Sequence, residues 1–294
     1  MGEFYALAAA AVWAVAVIFL RKSGESIPPY ALNLFRVTIT TPLLVVSVVA
    51  AGQPLVYGAP VVDYLILIAS GVISIAVSDT LLHRSINLIG AGLSAIATAV
   101  YAPIVTLLAF VLLGEELGPW QFGGMALVVG AILIAARHRP PEGATRRSIV
   151  VGVILGVLAM ATVGFGIVIA KPVLLRTPVL WATTVRQAGS LAVMLVIALA
   201  MPGRKKVFSF MRPSGSWRYS LTAALLGSYC SLLLWVAGFK YALSGVAAIL
   251  NQTSTIFILL LASVFLREPV TRRKIAASAL AVAGILLVTL GSRR

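Results

Sequence analysis

The feature that most constrains this chain is a recurring run of about twenty apolar residues, broken only by short turns or clustered charges. A helix of about 20 residues crosses the roughly 30 Å of bilayer hydrocarbon. The runs fall near residues 3–20, 30–51, 63–83, 91–113, 119–136, 148–170, 179–201, 217–240, 244–266 and 272–290. The third and fourth are almost continuous. They are divided around Arg84–Gly90, because one helix from Asp63 to Leu113 is too long for a single crossing. Composition agrees: 61% of the 294 residues are hydrophobic and 11% are charged, whereas a soluble domain carries about 25% charged residues. The reading is an all-α integral membrane protein of ten transmembrane helices.

The net charge of +15 does not point to nucleic acid. The basic residues lie in gaps between apolar runs, where they anchor loops and meet anionic headgroups. Counted alternately by loop, sixteen fall on one side, including Arg21, Lys22, Arg84, Arg204 and Lys274, and five on the other, including Lys171 and Lys240. The positive-inside rule then puts both termini outside. Glu3 stands where a cleavable signal would carry a basic residue, so the first run reads as a span. Cys230 is the only cysteine and His83 and His138 the only histidines, so neither a disulfide nor a Cys/His metal site is expected, and no cofactor.

The chain divides near its midpoint. Arg137–Arg147 is the longest polar stretch, and its two prolines and glycine forbid a continuing helix. The domain reading is a first five-helix repeat over 1–136, a basic linker over 137–147 and a second five-helix repeat over 148–294. An offset of 153 pairs Gly92 with Gly245, Ala95-Ile96 with Ala248-Ile249 and Glu115 with Glu268; an offset of 150 pairs Arg21 with Lys171 and Arg36 with Arg186. Two similar halves of five helices joined in series must cross in opposite senses. That is the inverted-repeat plan, with a substrate site near the midplane between halves.

The segment Asn87-Leu-Ile-Gly-Ala-Gly-Leu-Ser-Ala-Ile-Ala-Thr-Ala-Val-Tyr-Ala-Pro103, followed by Leu112-Leu-Gly-Glu-Glu116, resembles the fourth-helix signature of the EamA-type drug/metabolite transporters. A second copy runs from Tyr241 to Asn251 and ends Leu266-Arg-Glu-Pro269. The resemblance spans nearly the whole chain. It implies a ten-helix basket around a central cavity, in a family that exports amino acids or metabolites or carries nucleotide sugars and sugar phosphates. It also implies both termini inside, against the charge count. Two positions depart from the pattern: Arg267 precedes the glutamate where a small residue is usual, and Ile256 stands where the first copy has Pro103.

Ionisable groups at membrane depth cost at least about 2.5 kcal/mol each and are functional candidates by default. Asp79 is the only carboxylate well inside an apolar run, and His83 follows one helical turn later. Together they are candidates for proton coupling or for a substrate amine; the alternative is a helix end near headgroups. Arg36 and Arg186 occupy matching places and could hold a substrate carboxylate or phosphate from opposite sides, or snorkel to the interface. Thr98 and Tyr101 in the first signature helix, and Asn251, Gln252 and Ser254 in the second, must face the cavity or other helices. Tyr229 and Trp235, with Trp13, are candidate stacking walls. Pro103 would kink its helix beside the cavity, and Gly152-x-x-x-Gly156 permits close helix approach or dimerisation.

The function these features suggest is secondary transport, in the export direction, of small polar metabolites such as amino acids, in the cell membrane, by a monomer or a homodimer. No Gly-x-x-x-x-Gly-Lys-Ser/Thr loop is present to bind ATP, so coupling would be to an ion gradient or to exchange. An uncoupled facilitator and a lipid or lipid-linked-group flippase are the alternatives. An intramembrane enzyme would need nucleophiles or metal ligands clustered at depth, and one Asp, one His and one Cys make a poor basis for one.

Overall fold

The computed structural model describes residues 1–113, 119–136, 145–211, 217–242 and 244–291. Glu115, Glu116, His138 and most of the Arg137–Arg147 linker therefore lie outside the described residues. Among those described, the regular structure is helical, and six spans are long and apolar enough to cross a membrane.

The first half runs α1 (Gly2–Gly24), α2 (Pro29–Ala50), α3 (Val61–Gly71), a π-helical segment (Val72–Ser78), α4 (Asp79–Ala97), a 3₁₀ turn (Thr98–Val100), α5 (Tyr101–Leu113) and α6 (Pro119–Ala136). The second half runs α7 (Arg146–Arg176), α8 (Val179–Ala200), a short α9 (Arg204–Ser209), α10 (Trp217–Ala223), a π-helical segment (Ala224–Ser231), α11 (Leu232–Tyr241), α12 (Ser244–Gln252), α13 (Ser254–Phe265) and α14 (Arg272–Gly291). Prolines mark the entries: Pro28 and Pro178 precede α2 and α8, where a missing N–H is harmless and φ is already helical.

Two departures from the sequence reading have clear causes. Residues 84–89 remain helical, and the turn between the third and fourth runs is confined to Gly90, at φ 78° and ψ 169°. Only glycine adopts that backbone readily. The chain restarts at once as a helix whose first N–H groups, those of Ala91 and Gly92, donate to the Glu268 carboxylate at 2.8 and 3.0 Å. A carboxylate there satisfies otherwise orphaned donors and opposes the positive end of the helix dipole. Lys274 Nζ lies 3.6 Å from the same carboxylate. Glu268 is presented by Arg267, the one non-glycine residue with positive φ (54°) among those described. A left-handed backbone is one that glycine adopts without strain, and the first copy has Gly114 at the matching place in the sequence. The second departure is the pair of π segments, at matching places in the two halves. An extra residue per turn widens a helix locally, and such bulges gather at functional sites.

The halves interlock through their first helices. α7 packs antiparallel along α3, the first π segment and α4: Ser70, Ser78 and Ser85 donate to the carbonyls of Gly166 (2.6 Å), Ala159 (2.7 Å) and Gly152 (2.8 Å). Gly152 and Gly156 of the Gly-x-x-x-Gly motif sit against Ile89 and Ser85, so this motif joins helices within the chain. α1 packs in the same manner against the second half. Ser231 donates to Ala9 O at 3.1 Å, and Gly238 lies against Ala6. Ser78–Ala159 and Ser231–Ala9 are one contact made twice, since 78 + 153 = 231 and 9 + 150 = 159. The ends correspond too: Asn87 Nδ2 donates to Gly24 O (3.1 Å) and Lys240 Nζ to Thr177 O (2.5 Å), and 87 + 153 = 240. Arg21 donates to Asn87 O at 3.3 Å, and its counterpart Lys171 donates to the carbonyls of Phe239 and Ala242. At one end of α7, Arg176 pairs with Asp63.

Candidate functional site

A central cavity of about 160 Å³ lies between the halves. The signature helices meet beside it. Gln252 Nε2 donates to Thr98 O at 3.3 Å and Thr255 Oγ to Ala95 O at 3.4 Å. Both signature helices are interrupted here, the first by the 3₁₀ turn at Thr98–Val100 and the second between α12 and α13 at Thr253. Pro103 lies in the first turn of α5, where its missing N–H falls at the restart. Broken helices expose backbone carbonyls that a polar ligand or a side chain can use.

Of the residues singled out by sequence, Arg36, Asp79, Thr98, Tyr101, Arg186, Trp235, Asn251, Gln252 and Ser254 line this cavity. Trp13 lines it as well. Tyr229 does not. Its hydroxyl is 2.6 Å from Ser47 Oγ on α2, so it ties α2 to the second π segment. His83 stands behind the wall rather than in it.

The two arginines are buried, at 1% and 0% exposure, so neither snorkels. Their settings differ. Arg36 Nη1 lies 2.6 Å from His83 Nε2 and 3.5 Å from Asp79 Oδ2. A guanidinium can only donate, so His83 Nε2 accepts and its other nitrogen faces Pro29 O at 3.5 Å. Arg36 thus stands between Asp79 and His83, which sequence spacing alone would place in direct contact. Thr40 and Thr41, on the same helix, return their hydroxyls to the carbonyls of Arg36 and Val37.

Arg186 Nε donates to Ser70 Oγ at 3.0 Å and Nη2 to Ser74 Oγ at 3.4 Å, while its guanidinium carbon lies 5.7 Å from the Trp235 ring centre. Among the described residues no carboxylate pairs with it. The reason is legible in the duplication. The second-half counterparts of Asp79 and His83 are Leu232 and Val236 (79 + 153 = 232; 83 + 153 = 236). The second half keeps the cation and lacks the anion.

Ser70, Ser74, Ser78, Ser94 and Ser228, which line or support the site, were not anticipated. A lone serine in an apolar helix commonly closes on its own backbone, so only the packing distinguishes these. Gln187 beside Arg186 also lines the cavity, and an Arg-Gln pair inside an apolar helix was a signal that could have found it. Among the described residues there is no cluster of three or more metal-ligating side chains.

Three comparisons bear on this architecture. The model of the EamA-like transporter family matches residues 1–137 and again 150–290, one match per half. No curated protein matches the chain. A solved protein crystal structure superposes with a TM-score of 0.73 at 16% identity, over 100% of this chain and 98% of that one, which establishes a shared fold. The duplicated match falls on the two interlocked halves that enclose the cavity. The chain is a multi-pass membrane protein and belongs to the EamA-like transporter family.

Proposed function

We propose that this protein is a secondary transporter of small polar metabolites such as amino acids, working by alternating access between two inverted five-helix repeats that supply ten transmembrane helices. The observation that carries this reading is the central cavity, walled by equivalent helices of both halves and containing both a carboxylate, Asp79, and an uncompensated cation, Arg186. The antiparallel packing of α7 on the first half and of α1 on the second supports the inverted plan, because consecutive crossings place α1 and α3 in the same sense. The interlocked halves can then rock about the cavity without unpairing their backbones. We place it in the cell membrane as a monomer.

Coupling follows from competition for Asp79. Its carboxylate is a fifth exposed and held by Arg36 at 3.5 Å, long for a charge-assisted bond. A substrate ammonium and a proton both bind that carboxylate and cannot do so together. A carrier whose substrate and proton share one site exchanges them, so an inward proton gradient drives substrate outward. Arg36 keeps His83 as partner while Asp79 changes occupant.

The test is flux of a labelled amino-acid mixture in proteoliposomes, with and without an imposed pH gradient. The native protein should respond severalfold to the gradient, and Asp79→Asn should transport without responding. Gradient-independent counterflow by the native protein would make it a facilitator or exchanger. Stimulation by lipids with no flux of soluble substrate would make it a flippase.

A further inference from the structure

The cavity is short of acceptors. Arg186 is fully buried, and its Nη1 has no partner; neither do the buried Tyr101 hydroxyl, Ser228 hydroxyl and Asn251 amide nitrogen. All four groups belong to residues lining the same cavity, and all four can donate. The cavity's carboxylate among the described residues is already engaged with Arg36. A buried charge without a counter-ion is among the most costly groups a protein can hold, and an orphaned donor adds to that. At the equivalent place in the first half the same cation has both of its partners.

We infer that Arg186 is the docking point for a substrate carboxylate. The inference rests on the carrier reading and names the chemical class its cavity takes: a monocarboxylate with an apolar body. A carboxylate accepts only, and it presents two oxygens to a guanidinium fork whose Nε and Nη2 are steered by Ser70 and Ser74. One negative charge matches the one uncompensated positive charge; a phosphate dianion would leave surplus charge beside Asp79. The apolar body meets Trp235, Trp13, Met160 and Ile258. Arg36 also has an unpartnered Nε, but its charge is already compensated by Asp79, so it is not the partner of this group.

The experiment is thermal unfolding of the purified full-length protein in detergent with paired probes: acetate, benzoate and 3-phenylpropanoate against their amides, with phenyl phosphate as a further anion. The native protein should be stabilised by at least one acid at tenfold lower concentration than by its amide, and by benzoate more than by phenyl phosphate. Arg186→Gln should abolish the acid-over-amide preference while its unliganded Tm equals or exceeds the native value. Native protein that does not distinguish acids from amides overturns the inference. So does preference surviving in Arg186→Gln, or a Tm in that variant lowered as far as in Arg36→Gln, which would give Arg186 a structural role. Carboxylate preference at Arg186 without flux in proteoliposomes would count against the carrier and leave this site standing.

Discussion

Arg36→Gln should lower the stability of the folded protein by about 3 kcal/mol. Removing one partner of a buried ion pair costs about 3–5 kcal/mol because the other charge is left uncompensated; the low end applies, since Asp79 is a fifth open to the cavity. Adding Asp79→Asn removes the stranded charge and should recover most of the loss, so the double mutant is more stable than Arg36→Gln alone. A double-mutant cycle from chemical or thermal unfolding in detergent measures the coupling. Two additive losses would show that the pair carries no interaction. Sequence-equivalent Arg186 should behave in the opposite way, since neutralising it strands no anion. That contrast separates a charge kept for packing from one kept for a ligand.

Gly71→Ala should be the most damaging exchange of a single methyl group. Gly71 closes α3 where it crosses α8, and a Cβ there would fall inside the backbone carbonyl of Arg186. A backbone atom in a helix cannot swing aside as a side chain can, so α8 must move bodily. Overpacking typically costs about 1–3 kcal/mol, and this site should reach or exceed the upper end. The displaced residue is Arg186 itself, so binding should suffer with stability. Gly58→Ala is the control: nothing lies within 4 Å of its added Cβ, and its unfolding temperature should stay at the native value. Equal unfolding temperatures for the two variants would refute the close α3–α8 approach.

Much of this fold is legible in sequence because the bilayer allows so few solutions. Backbone groups in hydrocarbon must pair within a segment, so each apolar run of sufficient length reads as a helix. Duplication is legible because charged residues recur at fixed offsets, as Arg36 does at Arg186. The exchange of first helices between halves is not. It rests on serine hydroxyls meeting carbonyls some 67–222 positions away, as in Ser85–Gly152 and Ser231–Ala9, and no local pattern encodes such a pairing. The π segments share that fate, since their residues suit an ordinary helix equally well. At the site, residue type alone brings Asp79, Arg36 and Arg186 forward. What sequence spacing misses is that Arg36 lies between Asp79 and His83, and that Tyr229 is taken by Ser47. The unequal fate of the two arginines was present in the sequence all along, in Leu232 and Val236, but became meaningful only when Asp79 and His83 were seen to hold Arg36.

Alternating access requires the cavity between the halves to open in turn to the two sides of the membrane. Cys230 is the only cysteine, so Cys230→Ser gives a silent background in which Asn251→Cys places one thiol in the cavity wall. Its reaction with a membrane-impermeant thiol reagent, in right-side-out and inside-out vesicles, reads access from each face. Labelling is expected from both faces, slowed on both by the labelled amino-acid mixture that the carrier transports. Labelling from one face alone, unchanged by substrate or pH gradient, would describe a pocket with a single mouth and rule out alternating access.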